Sequence, residues 1–365
     1  MDKAEHYLSN GNIIGFPKLG IEFNIDSTAF SIFGFDIKWY GVIIAFGMLL
    51  AMIYCFKRVK EFGLDSDRVI DVVLFGLIGA IIGARSYYIA FSSEVTFADF
   101  LKIRDGGLAI YGGLIGALVV GAIAAKIRKV KLFPLLDMAS LGFLIGQGIG
   151  RWGNFVNKEA FGSETTLPWG MASKSIENTL GYGADGIAVL AHPCFLYESI
   201  WCLIGFVLLH FYSKKRKFDG EVFLMYSAWY GLGRFFIEGL RTDSLYIGRL
   251  RVSQLVAAVC VVVALGILLV VRSNIKHGAE VVLYRDTEES KKLLLEAEER
   301  AYKEAEKKKG KKENADEAAT EAADKQSEEQ FDEQSEGQPD VQVQADAEES
   351  SEIQKEIVEE EKENG

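Results

Sequence analysis

The stretch "GRWGNFVNKEAFG", residues 150–162, sets Arg151, Asn154, Asn157 and Glu159 where a long apolar run ends. An arginine presents a planar fork of donors that suits phosphate, and two amides three residues apart share one face if the helix continues. Gly148, Gly150 and Gly153 let backbone or ligand approach closely. A second set follows in "YGLGRFFIEGLR", with Arg234, Glu238 and Arg241, and Glu198 stands in "HPCFLYES". Arg85 lies inside another apolar run. Charged side chains in or beside hydrocarbon cost several kcal/mol unless paired or wetted, so each is a functional candidate. A lone arginine at a span end commonly snorkels to head groups, and Glu198 and Glu238 also suit plain pairing with Arg151 and Arg234. Several such residues on one face point to a polar site for an anionic head group already present in the membrane, a phospholipid. No Asp, Glu or His set has metal-ligand spacing, so neither metal nor other cofactor is expected.

The elements that position these residues are apolar runs of the length, about 20 residues, that crosses a hydrocarbon core. Seven are found, at about 40–57, 69–91, 107–125, 134–150, 193–212, 220–238 and 252–271. The first 38 residues lack the basic start and apolar core of a cleavable leader. Over 23–41 the chain reads as short extended or amphipathic segments against the membrane surface. Lys57, Arg58, Lys60 and Arg68 join the first two runs, Lys126 to Lys131 the next two, and Lys214 to Lys217 the fifth and sixth. With Arg272 and Lys276, all of these fall on one side of a seven-span layout. That places the N-terminus outside and the C-terminus in the cytoplasm.

Charge divides the chain. Residues 277–365 hold 29 Asp+Glu against 13 Lys+Arg, while the remainder holds 22 against 27. The net −11 therefore belongs to the tail. A solvated helix is expected from Asp286 to about Lys312 and disorder beyond Glu313, where too little apolar surface exists to offset chain entropy. The four cysteines show no CxxC spacing, and Cys194 reads as a small hydrophobe opening an apolar run. The expected fold is an all-α polytopic membrane protein. It has about seven transmembrane helices, a small extracytoplasmic head region and a disordered acidic C-terminal tail. Its parts are an extracytoplasmic arm (1–39), a catalytic membrane domain (40–272, with 151–192 as outer head segment) and a cytoplasmic tail (273–365).

The "GRWGNFVNKEAFG" stretch resembles the signature of the prolipoprotein diacylglyceryl transferases. "KWYG", "GAR", "HP…LYES" and the Tyr230–Arg241 cluster agree with it, together covering roughly residues 30–272. The resemblance implies a multi-pass enzyme of the bacterial plasma membrane, with phosphatidylglycerol and prelipoprotein signal peptides as partners and no nucleic acid. It implies transfer of the diacylglyceryl group to the thiol of the lipobox cysteine, giving a thioether and glycerol 1-phosphate. Carried over by motif are Arg151, Asn154, Asn157, Glu159 and Gly162, then Tyr230, Arg234, Glu238 and Arg241, with Tyr40 in the Trp-Tyr-Gly opening. Arg85, in "GAR", joins the expected lipid-binding set.

One departure matters. Where many members carry His-Gly-Gly, this chain has Tyr111 in "YGG", so a histidine base at position 111 is excluded. Tyr111 is left with three roles, as proton acceptor, phosphate partner or loop support. Arg151 and Arg234 are expected to clamp the phosphate, and Glu159 and Glu238 to orient arginines. Two rival classes remain, a transporter and a non-catalytic lipid receptor. The lack of an internal repeat and the clustering of polar residues at one face weigh against transport.

Overall fold

A computed structural model describes residues 11–92, 100, 107–182, 189–242, 244–248 and 250–310. The stretch beyond Gly310, where disorder is expected, lies outside the described residues. The long helices are α1 (Trp39–Arg58), α2 (Ser66–Phe91), α3 (Ile110–Ile127), α4 (Leu132–Asn157), α6 (Cys194–Ser213), α7 (Glu221–Leu240) and α8 (Val252–Lys276), with a short α5 (Lys174–Leu180) between α4 and α6. Each coincides with an expected apolar run. Among the described residues, six of them (all but α5 and α7) are long and apolar enough to cross a membrane. Helix α7 has the length but carries Glu221, Arg234 and Glu238. The architecture is that of an all-α polytopic membrane protein.

Packing explains the small residues. Helix α2 lies along α3, where a Cβ added at Gly83 or Gly116 would run into the backbone of the facing helix. Close backbone approach of this kind replaces the hydrophobic drive that is absent between helices in lipid. Helix α1 packs on α4, and α4 also meets α6 and α7. Helices α6 and α7 are latched by stacked Trp201 and Trp229, ring centroids 4.3 Å apart. Each indole N–H donates to the other residue's carbonyl, at 2.9 and 3.0 Å.

The bundle has two unlike ends. At the end where the cationic loops gather, Asp137 of α4 accepts N–H bonds from Gly220 and Phe223 at 2.8 and 2.9 Å, so one helix caps the start of another. At the opposite end stands a small head. Strands β1 (Ile13–Phe16), β2 (Ile21–Asn24) and β5 (Ala172–Ser173) form an antiparallel sheet in the order β2-β1-β5. Its core joins Ile14, Met171 and Ile176 to Phe155 and Phe195 at the ends of α4 and α6. The head thus grips the last turn of α4 and fixes how the signature leaves the helix. Hairpins β3 (Thr28–Ile32)–β4 (Phe35–Lys38) and β6 (Tyr246–Ile247)–β7 (Leu250–Arg251) lead directly into α1 and α8. The helix expected over 286–312 runs over 288–310.

Candidate active site

Helix α4 does not stop at residue 150. It continues through the signature to Asn157 and ends on Lys158 in the left-handed region (φ 56°). Ala160 shares that conformation (φ 56°). Two non-glycine residues held there, either side of Glu159, mark a turn whose surroundings over-determine it. Lys158 is anchored by its ammonium, which donates to the Ile25 carbonyl at 3.0 Å. The turn brings Glu159 back beneath the helix end, where its Oε1 accepts from Asn154 Nδ2 at 2.9 Å and Asn157 Nδ2 at 3.4 Å. Asn154 Oδ1 in turn accepts from Arg151 at 3.3 Å. Both signature amides therefore converge on one carboxylate, as their spacing predicts.

Arg151 and Arg234 come together through Glu198. This buried carboxylate of α6 meets Arg151 Nη2 at 2.7 Å and Arg234 Nη1 at 3.4 Å. The Tyr230 hydroxyl donates to Glu198 Oε1 at 2.9 Å, and Arg234 Nη2 reaches Glu238 at 2.5 Å. Sequence reading placed Glu198 among the charged candidates of this face, with plain pairing to an arginine as the alternative, and gave it no role of its own. The structure makes it the hub of four side chains from three helices. Its neighbours in the sequence carry no cue to this role, because the convergence depends on how α4, α6 and α7 pack.

The closing glycine of the signature positions a further arginine. Gly162 pairs with Arg241 in an antiparallel bridge, and Ser163 N–H donates to the Leu240 carbonyl at 2.7 Å. A Cβ at Gly162 would press on His192 and on the Cys194 sulfur at 2.7 and 2.9 Å. Cys194 is buried there, in keeping with its reading as a small hydrophobe. His192 Nδ1 lies 3.1 Å from the Tyr197 hydroxyl, which also accepts from Trp169. Burial holds the His192 imidazole below the usual histidine range.

A cavity of about 800 Å³ runs beside α4. Its walls are apolar, from Val69 and Leu135 at the cationic end past Met48 and Gly146 to Ile110. Arg151, Asn154, Glu159, Arg241 and Tyr40 line it at the head end. Tyr40 packs flat on α4 because position 153 is glycine; a Cβ there would sit 2.7 Å from its ring. From Leu135 to Asn154 the helix rises about 28 Å, close to the thickness of a hydrocarbon core. Such a space takes a molecule with a long apolar body and one anionic end.

Other expected residues sit elsewhere. Arg234, Glu238, Tyr230 and Asn157 are outside the cavity lining; Asn157 contacts the lining Glu159, whereas Tyr230 and Arg234 join the lining Arg151 through Glu198, and Glu238 holds Arg234. Arg85 is buried, donating to the carbonyls of Phe100 and Gly107 at 3.2 and 3.1 Å, with its guanidinium over the Tyr88 ring. Tyr111 is 61% exposed next to the cavity-lining Ile110, and among the described residues its hydroxyl has no hydrogen-bond partner. Gln147, which sequence reading passed over, lines the cavity one turn before Arg151 and donates to the Tyr226 hydroxyl at 2.9 Å. Its spacing of four from Arg151 is the signal that would have found it.

Comparison with known proteins agrees with this site. The family model described as prolipoprotein diacylglyceryl transferase matches residues 27–270. A phosphatidylglycerol–prolipoprotein diacylglyceryl transferase of Finegoldia magna is 42% identical over 262 residues, covering 71% of this chain and 98% of the relative. Relatives of the same name from Clostridium novyi and Clostridioides difficile are 42% and 41% identical over 257 and 241 residues. They cover 69% and 65% of this chain and 98% and 92% of their own lengths. With most of its helical bundle matched and the signature residues gathered at one cavity, the chain belongs to the prolipoprotein diacylglyceryl transferase family.

Proposed function

We propose that this protein transfers the diacylglyceryl group of phosphatidylglycerol to the lipobox cysteine thiol of a prelipoprotein, the first step of lipoprotein maturation in a bacterial plasma membrane. The observation that carries the reading is the cavity: an apolar channel of membrane-spanning length with Arg151 and Arg241 at one end. The acyl chains lie along the face of α4 that bears Gly146, and the phosphate rests against the two guanidiniums. Polar lining at a single end suits a lipid seat and not a solute path.

The thiolate attacks C3 of the diacylglyceryl group; a carbon–sulfur bond forms as the carbon–oxygen bond to phosphate breaks. Glycerol 1-phosphate leaves with the bonding electron pair, and the thiol proton passes to solvent or to the departing phosphate. Donors fixed on the developing charge in a water-poor site are worth about 3–4 kcal/mol each. Arg234 acts through Glu198, holding the carboxylate that aims Arg151. Glu238 anchors Arg234, and Glu159 holds Asn154 and Asn157 in place. Tyr111 stands at the head end of α3, beside the route by which a peptide reaches the lipid.

The arm (1–39) and the head lie outside, α7 makes a seventh crossing with its charges turned into the bundle, and the cationic loops and the tail face the cytoplasm. The positive charge of those loops supports this sidedness. Incubation of the purified protein with phosphatidylglycerol and a lipobox peptide tests the reaction by mass spectrometry. The expected result is a peptide heavier by one diacylglyceryl group with equimolar glycerol phosphate. Lipid binding without release of glycerol phosphate, or solute flux in proteoliposomes without transfer, would overturn it.

A further inference from the structure

The family match ends at residue 270, yet the chain that follows returns to the bundle and is built into it. After α8 the backbone reverses at Gly278 (φ 98°). Tyr284 and Leu283 are then buried, and Ser290 is fully buried. Three loops receive this segment. From the α6–α7 loop, Asp219 accepts the Tyr284 backbone N–H at 2.7 Å. From the α3–α4 link, Lys131 pairs with Glu289 at 3.0 Å and sets its ammonium over the Tyr284 ring. In the α1–α2 turn, the Gly63 carbonyl accepts from the Ser290 hydroxyl at 2.8 Å. Position 63 has no room for a side chain, since a Cβ there would lie 2.6 Å from the Arg285 Cα.

The Tyr284 ring belongs to the same apolar cluster as Val69 of α2, Ala124 and Ala125 of α3 and Met138 of α4. Val69 and Met138 also line the cavity. The α2–α3 pair forms one cavity wall, and these cluster residues tie it to the rest of the bundle at the cationic end.

We propose that residues 279–297 are a clasp that holds the α2–α3 wall against α1 and α4, and so sets how far the cavity opens toward surrounding lipid. The clasp ties three loops together, adding to the contacts that Arg216 makes with Glu61 and Arg68 with Arg128, and its own residues lie outside the stretch matched to the family. It works on the wall and takes no part in the chemistry at Arg151.

Hydrogen–deuterium exchange on the full chain, in nanodiscs of phosphatidylglycerol and phosphatidylcholine, reads the clasp without turnover, so its outcome is independent of the transferase reading. In the unaltered chain, the amides of Tyr284 and Ser290 exchange at least about 100-fold more slowly than in an unfolded chain. Exchange at the unfolded rate would overturn the proposal. A double variant, Tyr284→Ala with Ser290→Ala, raises exchange about tenfold over 60–65 and 129–132 and leaves 194–213 unchanged. Unchanged exchange in those loops would overturn it. Should that variant not accumulate, Glu289→Lys gives the same pattern in weaker form. A nitroxide pair at Phe46→Cys and Ile78→Cys, with Cys260→Ser, reads the wall. The distance distribution between α1 and α2 broadens when the clasp is loosened, and an unaltered distribution would show that the wall does not depend on it.

Discussion

Both ends of the bundle bury arginines against carboxylates, and they do so in opposite ways. At the cationic end, Arg216 is packed on the Phe62 ring, 4.4 Å from its centroid. It donates to the carbonyls of Ser213 and Glu61 at 3.2 and 3.1 Å and lies within 4 Å of Asp137 and Asp219. Its side chain is 1% exposed, whereas that of Arg151 at the head end is 23% exposed and borders a cavity. The same residue type thus serves two purposes. A guanidinium enclosed by protein acceptors is architecture. One held firmly on one side and open on the other is placed to receive the anion proposed above.

The largest expected effect tests the open side. Arg151→Ala lowers transfer about 10²–10³-fold while the unfolding midpoint in detergent changes little, because the loss falls on a charge that develops in the transition state. A comparable fall in stability would erase the distinction. Next, Arg216→Ala destabilises the fold by about 3 kcal/mol, since it leaves the buried Asp137 and the half-buried Asp219 without their cation. Thermal unfolding and membrane yield measure this, and a normally stable but inactive variant would break the comparison from the other direction. Smaller is Gly153→Ala, whose Cβ displaces Tyr40 from the flank of α4. It lowers kcat/KM about tenfold by moving one cavity wall, with little change in stability.

The smallest effect concerns pH. Glu177 of the head is buried, both its carboxylate oxygens lack a hydrogen-bond partner among the described residues, and burial pushes its carboxyl above the usual range. The folded state therefore holds this proton more tightly than the unfolded chain. Stability is greatest below the ordinary glutamate range and declines as pH rises through the interval up to the raised value. Glu177→Gln removes that slope and stabilises the protein by about 1 kcal/mol at neutral pH, with no gain in acid. Calorimetry at several pH values decides it, and parallel pH profiles for both proteins would refute it.

The spans were legible because hydrocarbon length and loop charge write themselves into composition. The limit of α4 was not: the apolar run ends at residue 150, while the head core around Phe155 and Phe195 carries the helix on to Asn157. Spacing alone predicted that Asn154 and Asn157 share a face, and both reach Glu159. Spacing could not reveal that Glu198 joins two arginines, since α4, α6 and α7 must first pack. Nor did composition separate the buried Tyr284 and Ser290 from the charged stretch around them. A few well-placed contacts do not alter an average.

The bridge between Gly162 and Arg241 has a consequence for biogenesis. A ribosome delivering this chain releases the signature helix early, but the strand that docks on it arrives only after two further helices have entered the bilayer. Until then Arg151 has Asn154, Glu159 and Glu198 but neither Tyr230, Arg234 nor Arg241. Completion of insertion thus assembles the site, and a translation product interrupted before α7 is expected to lack transfer activity.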